Sequence, residues 1–224
     1  MRDLIVPRLR ERWPSARIIH ELPLRYSTNR IDLAAVTETD IIAVEIKSSK
    51  DVADRLEAQL RGFQRIASRM IVALAPHWNE KLPPLITKEA NCTSYTERRT
   101  ETQEIIYRTC GSGVDVWTVD ADAGTVEVTQ SSYRDSWPWA YQLLHMLHVS
   151  ELAAIASRHG CWQGKRPVHL DLVNACAELM TGGEVRRAVC SALRARPAFG
   201  AASDQPILFV PVASADRKRQ EAGA

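Results

Sequence analysis

A chain of 224 residues, 45% apolar and 25% charged, has the composition of a soluble globular protein with one full core and a smaller unit attached, which excludes fibrous, collagen-like and wholly disordered classes. A formal net charge of +2 is too mild to argue for a nucleic-acid partner by itself. No apolar run reaches membrane-spanning length and the first residues lack a signal-peptide core. The five cysteines contain no C-x-x-C pair, so the expectation is a cytoplasmic protein with reduced thiols and no membrane partner.

Residues 3–13 place Leu4, Ile5, Leu9 and Trp13 at near-helical spacing, with Pro7 expected to confine the start of a short helix to its neighbourhood. Residues 17–24 read as a first strand that Pro23 ends or places at an edge. Two β-branched runs, 30–36 and 41–47, flank the polar stretch Thr37-Glu38-Thr39-Asp40 and predict a hairpin. Residues 51–69 carry Val52, Leu56, Leu60, Phe63 and Ala67 at three- and four-residue steps, predicting an amphipathic helix with Asp51 as N-cap. The apolar run 70–75 predicts a strand buried on both faces, whereas residues 77–113 carry no assignable pattern. A second hairpin at the far side of the sheet is expected from 114–119 and 125–129. Beyond Trp139 the pattern turns helical, over 141–148, 151–158, 169–180 and 184–196, with Gly160, Gly164, Gly182 and Gly183 as breaks. Residues 213–224 lack apolar periodicity and read as a disordered tail. The organisation expected is a main domain over 1–135, a helical domain over 136–200 and an extension over 201–224.

The first hairpin carries the chemistry. With a loop symmetric about Glu38 and Thr39, Ile31, Leu33 and Ala35 oppose Ile46, Val44 and Ile42 on one apolar face. On the other face Asp32 falls opposite Glu45 and Arg30 opposite Lys47, with Ala34, Val36, Ile41 and Ala43 completing the surface. Opposed carboxylates destabilise a sheet unless a cation compensates them, and a hard divalent metal held by carboxylate oxygens would do so. Lys47 follows on the same face, where an ammonium can orient a water or stabilise charge developing on a phosphoryl group. The plainer alternative is a solvated hairpin face.

These residues, Arg30-Ile31-Asp32-Leu33, then Ala43-Val44-Glu45-Ile46-Lys47, then a helix bearing Gln59, resemble the PD-(D/E)xK nuclease superfamily over roughly the first third of the chain. The likeness is to small bacterial and phage members, with Ile31 standing where the motif's proline would be. The resemblance implies an α/β fold with a restriction-endonuclease-like α-β-β-β-α-β core and a mixed sheet, here followed by the small helical domain. It also implies Asp32 and Glu45 as ligands of Mg2+ or Mn2+, Lys47 as catalytic lysine and Gln59 near it. Glu21, or less readily Glu11, would add a carboxylate.

Arg61, Arg65 and Arg69 form a basic stripe which, with Lys50, Arg55 and Arg30, could contact phosphates, although a solvated helix face gives the same pattern. His145 and His148 have metal-compatible spacing without a further ligand nearby. Arg186, Arg187, Arg194 and Arg196 fit either DNA contact or packing. The function expected is a metal-dependent nuclease hydrolysing phosphodiester bonds, in DNA before RNA. The alternative is a nucleic-acid-binding or regulatory protein that keeps the fold with little or no catalysis. In either case the C-terminal helices could join chains into a homodimer or a larger assembly.

Overall fold

The structure is a computed structural model that describes residues 1–25, 29–52, 54–80, 114–131, 137–197 and 199–208. Helix α1 (Arg2–Arg12) is followed by strands β1 (Arg17–Pro23), β2 (Arg30–Val36) and β3 (Ile41–Lys47). Helix α2 (Leu56–Gln64) leads into β4 (Arg69–Leu74), and β5 (Val114–Asp120) and β6 (Thr125–Gln130) follow. The six strands form one mixed sheet in the order β1-β2-β3-β4-β5-β6, with β3-β4 and β4-β5 parallel and the other pairs antiparallel. Among the described residues four helices come after it: α3 (Ala140–Leu144), α4 (Val149–Arg158), α5 (His169–Leu179) and α6 (Gly182–Ala195).

Both faces of the sheet are covered, as interior parallel strands require. On one side Ile5 and Leu9 of α1 pack in a cluster with Leu33, Ala35, Ile42, Val44, Ile71, Ala73 and Trp117. On the other, Ala34, Val36, Ile41, Ala43 and Val72 pack with Leu60 and Phe63 of α2 and with apolar residues of α3 to α6. The hairpin face that carries Glu45 and Lys47 is therefore core over most of its length, against the alternative of a solvated face. The α/β class and the two hairpins match the sequence reading.

Three local expectations fail for identifiable reasons. Helix α1 runs through Pro7 instead of starting at it: the missing N–H deletes one helical hydrogen bond, while complete burial of Ile5 and Leu9 keeps the turn docked. Asp51 does not cap α2, because its Oδ2 accepts from Ser48 N (2.7 Å) and Ser48 Oγ (2.6 Å) and so closes the turn after β3. The helix begins at Leu56, leaving Val52 63% exposed. The break expected at Gly182 and Gly183 separates the two helices but falls at Met180 and Thr181, since a capping box of Thr181 and Glu184 draws both glycines into the first turn of α6.

Part of the C-terminal extension is docked. Asp204 N donates to Ile18 O and Ile18 N to Asp204 Oδ2, each at 2.9 Å, and His20 N donates to Ser203 Oγ, so the free edge of β1 is covered. Buried Arg17 donates to the carbonyls of Leu193, Arg194 and Arg196 at the end of α6. The tail expected over 213–224 lies outside the described residues. Cys161, Cys176 and Cys190 are buried free thiols, and no helix among the described residues is long and apolar enough to cross a membrane.

Candidate functional site

The site grows from an interruption in two β-ladders. Pairing between β1 and β2 runs from Arg17↔Val36 to His20↔Leu33, skips Glu21 and Asp32, and resumes at Leu22↔Ile31. Glu21 has φ 55°, a left-handed conformation that costs a glutamate energy and reverses the side-chain alternation. Beyond this kink Leu22 and Ile31 pack in the α2-side cluster, while Ile18 and Leu33 belong to the α1-side cluster. Ile31 therefore leaves the face on which the simple hairpin pattern puts it. Between β2 and β3 the predicted register holds from Val36↔Ile41 to Leu33↔Val44 and then stops. The backbone pair Asp32 with Glu45 does not form; instead Asp32 Oδ2 accepts from Ile46 N at 2.8 Å, a side chain replacing a backbone acceptor.

Strand β3 stays fixed through this gap because its other edge is paired with β4, Glu45 with Val72 and Lys47 with Leu74. Glu45 and Lys47 thus keep a common face. Lys47 Nζ donates to Glu45 Oε1 (2.8 Å) and to Gln59 Oε1 (3.0 Å) of α2. Three of the four residues named from sequence for the active centre thus meet directly, and the fourth, Asp32, is near enough for its charge to act on Glu45. Glu45 Oε2 is buried and meets no donor at hydrogen-bond geometry among the described residues, although the Gln59 side chain lies near enough to favour the carboxylate's charge. At the sheet end Trp78 Nε1 donates to Ser48 O at 2.9 Å, tying down the chain just after Lys47.

Charge on the carboxylates is costly here. Burial pushes the Glu45 carboxyl up to about 7; the Lys47 hydrogen bond opposes this, and the neighbouring Asp32 charge adds to it. Asp32 is also raised, first by burial, against the Ile46 N–H and the Arg2 guanidinium. Arg2, at the start of α1, hydrogen-bonds Glu21 and reaches Asp32 Oδ1 at 3.2 Å, and Arg30 Nε lies 3.5 Å from Glu21 Oε2. Near neutral pH the corner therefore holds a carboxyl that can exchange a proton, a fixed ammonium and a second carboxylate. Hard oxygen donors of this kind suit a divalent cation.

The remaining expected residues divide. Glu21 reaches the site but is engaged by Arg2 and Arg30; Glu11 pairs with Arg8 on an exposed part of α1. Among the described residues no group of three or more His, Cys, Asp or Glu side chains is placed to hold a metal. Arg61 pairs with Glu57, Arg65 lies over the Trp139 ring at 5.6 Å, and Arg69 pairs with Asp115 at 3.4 Å. Lys50 and Arg55 are exposed between β3 and α2. Arg186 pairs with Asp40 and Arg194 donates to Ser15 O, tying α6 to the sheet part of the fold, while Arg196 forks onto Glu151 of α4 at 2.8 and 2.6 Å and joins two of the helices. His145 packs against His169 and Tyr141, while His148 lies exposed at the start of α4. Arg2 is the site residue that sequence reasoning missed; its only signal was an arginine in the first turn of a helix, a place where cations are disfavoured.

A family model described as bacteriophage P4 protein cII matches residues 2–101, less than half of the chain but a span that contains Arg2, Glu21, Asp32, Glu45, Lys47 and Gln59. No curated protein matches. A solved structure, described as SPO1766 protein of unknown function from Silicibacter pomeroyi, is similar at 16% identity and a TM-score of 0.37, over 69% of this chain and 87% of that one.

Proposed function

We propose that the chain is a divalent-metal-dependent nuclease of the PD-(D/E)xK type, acting on phosphodiester bonds in DNA, with Glu45, Asp32 and Lys47 at its centre. The observation that carries this reading is Glu45 Oε2: a buried carboxylate oxygen that meets no donor at hydrogen-bond geometry, beside a second carboxylate, is expensive unless something binds there. The order helix, three antiparallel strands, helix, then a strand parallel to the third supports a restriction-endonuclease-like core. The same reading divides the chain into a nuclease-like part, 1–135, and a helical part, 136–200, that could carry association with further copies. The matched family's description is that of a bacteriophage protein and names no activity.

Glu45 and Asp32 would hold Mg2+ or Mn2+, which when bound lowers the pKa of its water and offsets charge developing on a phosphoryl group. Lys47, fixed by Glu45 and Gln59, holds a proton at Nζ beside that position and can orient the attacking water. Gln59 keeps the ammonium from swinging away, and the core packed on both sides limits bulk water.

A second reading, a nucleic-acid-binding or regulatory chain with little catalysis, is favoured by Arg2. This side chain takes one Asp32 oxygen while the Ile46 N–H takes the other. Cleavage of supercoiled plasmid and labelled single-stranded DNA with Mg2+, Mn2+ or EDTA separates the two, comparing the parent with Glu45→Gln and Lys47→Gln. Metal-dependent cutting lost in both variants is expected. DNA binding without cutting makes the second reading correct, and equal cutting by all three proteins rejects the site.

A further inference from the structure

A cleft of about 660 Å³ opens where the end of β1, the second half of α2, α3 and the start of α5 meet. Its size is that of a site for a small organic group. Among the described residues lining it are Arg25, Arg65, His145, His169 and Tyr141, and no carboxylate. The rings form a continuous series, His169 stacked on His145 with centroids 5.3 Å apart and His145 edge-on to Tyr141 at 4.5 Å. Tyr141 ends that series 40% exposed. Arg25 is held at the wall by a 2.8 Å bond from its Nη1 to Leu147 O, and Arg65 by the Trp139 ring. The His145 pKa is lowered, first by burial and then by His169 and Arg25.

The cleft and the candidate site share helix α2. Gly62 lines the cleft and stands three residues after Gln59 on α2, so the two share a helix face about 5 Å apart along the axis. Aromatic faces interleaved with cations, and no opposing acid among the described lining residues, match the needs of an unstacked base and its phosphate.

We propose that this cleft receives one unpaired nucleotide of a single-stranded nucleic acid, its base against Tyr141 and its phosphate between Arg25 and Arg65, next to the strand position presented to Lys47. The proposal rests on nucleic acid being the partner in the function proposed above, and not on catalysis. The test uses the full chain carrying Glu45→Gln, in EDTA, with a fluorescent thymidine strand of about ten nucleotides followed by anisotropy. Adding Tyr141→Ala, or Val168→Glu at the exposed rim, is expected to weaken binding about tenfold each. Thermal melting confirms that both variants remain folded. An abasic strand of the same length should bind more weakly than the thymidine strand and lose its sensitivity to Tyr141→Ala. Unchanged affinity in both variants, or binding only of duplex, overturns the cleft proposal. Cleavage by the parent together with unchanged variant affinity rejects the cleft and keeps the nuclease. Sensitive binding without any cleavage keeps the cleft and rejects the nuclease.

Discussion

The sheet carries two buried carboxylates of nearly equal exposure and opposite circumstances. Asp115 on β5 has a fully buried side chain and meets Arg12 at 2.8 Å and Arg69 at 3.4 Å, two guanidiniums for one carboxylate. Glu45 on β3 has a side chain 3% exposed and meets one ammonium, shared with Gln59, while Asp32 adds negative charge nearby. The first arrangement neutralises its charge within the fold and joins α1 to β5 and β4. The second leaves an oxygen without a donor at hydrogen-bond geometry and is the arrangement expected of a group that binds something else. Burial alone does not distinguish structural from functional charge; the balance of donors around it does.

The sharpest way to test that contrast is to remove each charge. Glu45→Gln keeps the shape and an acceptor for Lys47 while removing the buried charge, so under the proposed function nuclease turnover should fall about a thousandfold or more while stability near pH 7 holds or rises. Plasmid cleavage and urea unfolding on the same samples measure both. Asp115→Asn should do the reverse, costing about 3 kcal/mol because two arginines lose their partner, with turnover per folded molecule unchanged. If Glu45→Gln proves as destabilising as Asp115→Asn, the distinction drawn between the two carboxylates is wrong.

Titration offers a gentler version. A carboxyl with an ordinary value of 4.5 in the unfolded chain and about 7 in the folded one holds its proton more tightly when folded. Its contribution to stability is full below pH 4.5 and is lost as pH rises through about 7. In EDTA the urea midpoint should therefore fall between pH 5 and pH 8, by at most about 3 kcal/mol of stability from Glu45, with Asp32 adding in the same direction. Mg2+ or Mn2+ at pH 8 should restore part of the loss in the parent and none of it in Glu45→Gln, since a bound cation favours the ionised form. A flat profile in EDTA would mean that Glu45 is not strained by its surroundings.

How far this corner was readable from sequence follows from which forces set it. The hairpin register from Leu33↔Val44 to Val36↔Ile41 was legible because period-two alternation and a four-residue loop are local signals. Glu45, Lys47 and Gln59 came with it, being fixed by strand and helix periodicity. The gap at Asp32 was not legible, because it depends on the left-handed turn at Glu21, a residue type that rarely adopts it. The start of α2 was misplaced because Asp51 has two uses for its carboxylate, and the turn at Ser48 wins over the cap. The second buried face could not be seen in the hairpin alone, since Ala34, Val36, Ile41 and Ala43 are apolar for helices that follow much later in the chain.

The smallest effect expected concerns Arg2, whose position could be known only once helix and kink were both in place. Its guanidinium is 40% exposed and its partners Glu21 and Asp32 are 37% and 24% exposed, so solvent and salt screen the pairs. Arg2→Ala should cost less than about 1 kcal/mol of stability. The same change frees Asp32 Oδ1, the oxygen a divalent cation would need, and removes a positive charge beside it. Mn2+ should then bind several-fold more tightly to Arg2→Ala than to the parent, read as a larger rise in melting temperature at equal metal concentration. Weaker Mn2+ binding would give Arg2 the opposite role: it would be holding the Asp32 carboxylate in place for the cation, and the kink at Glu21 would serve to set that geometry.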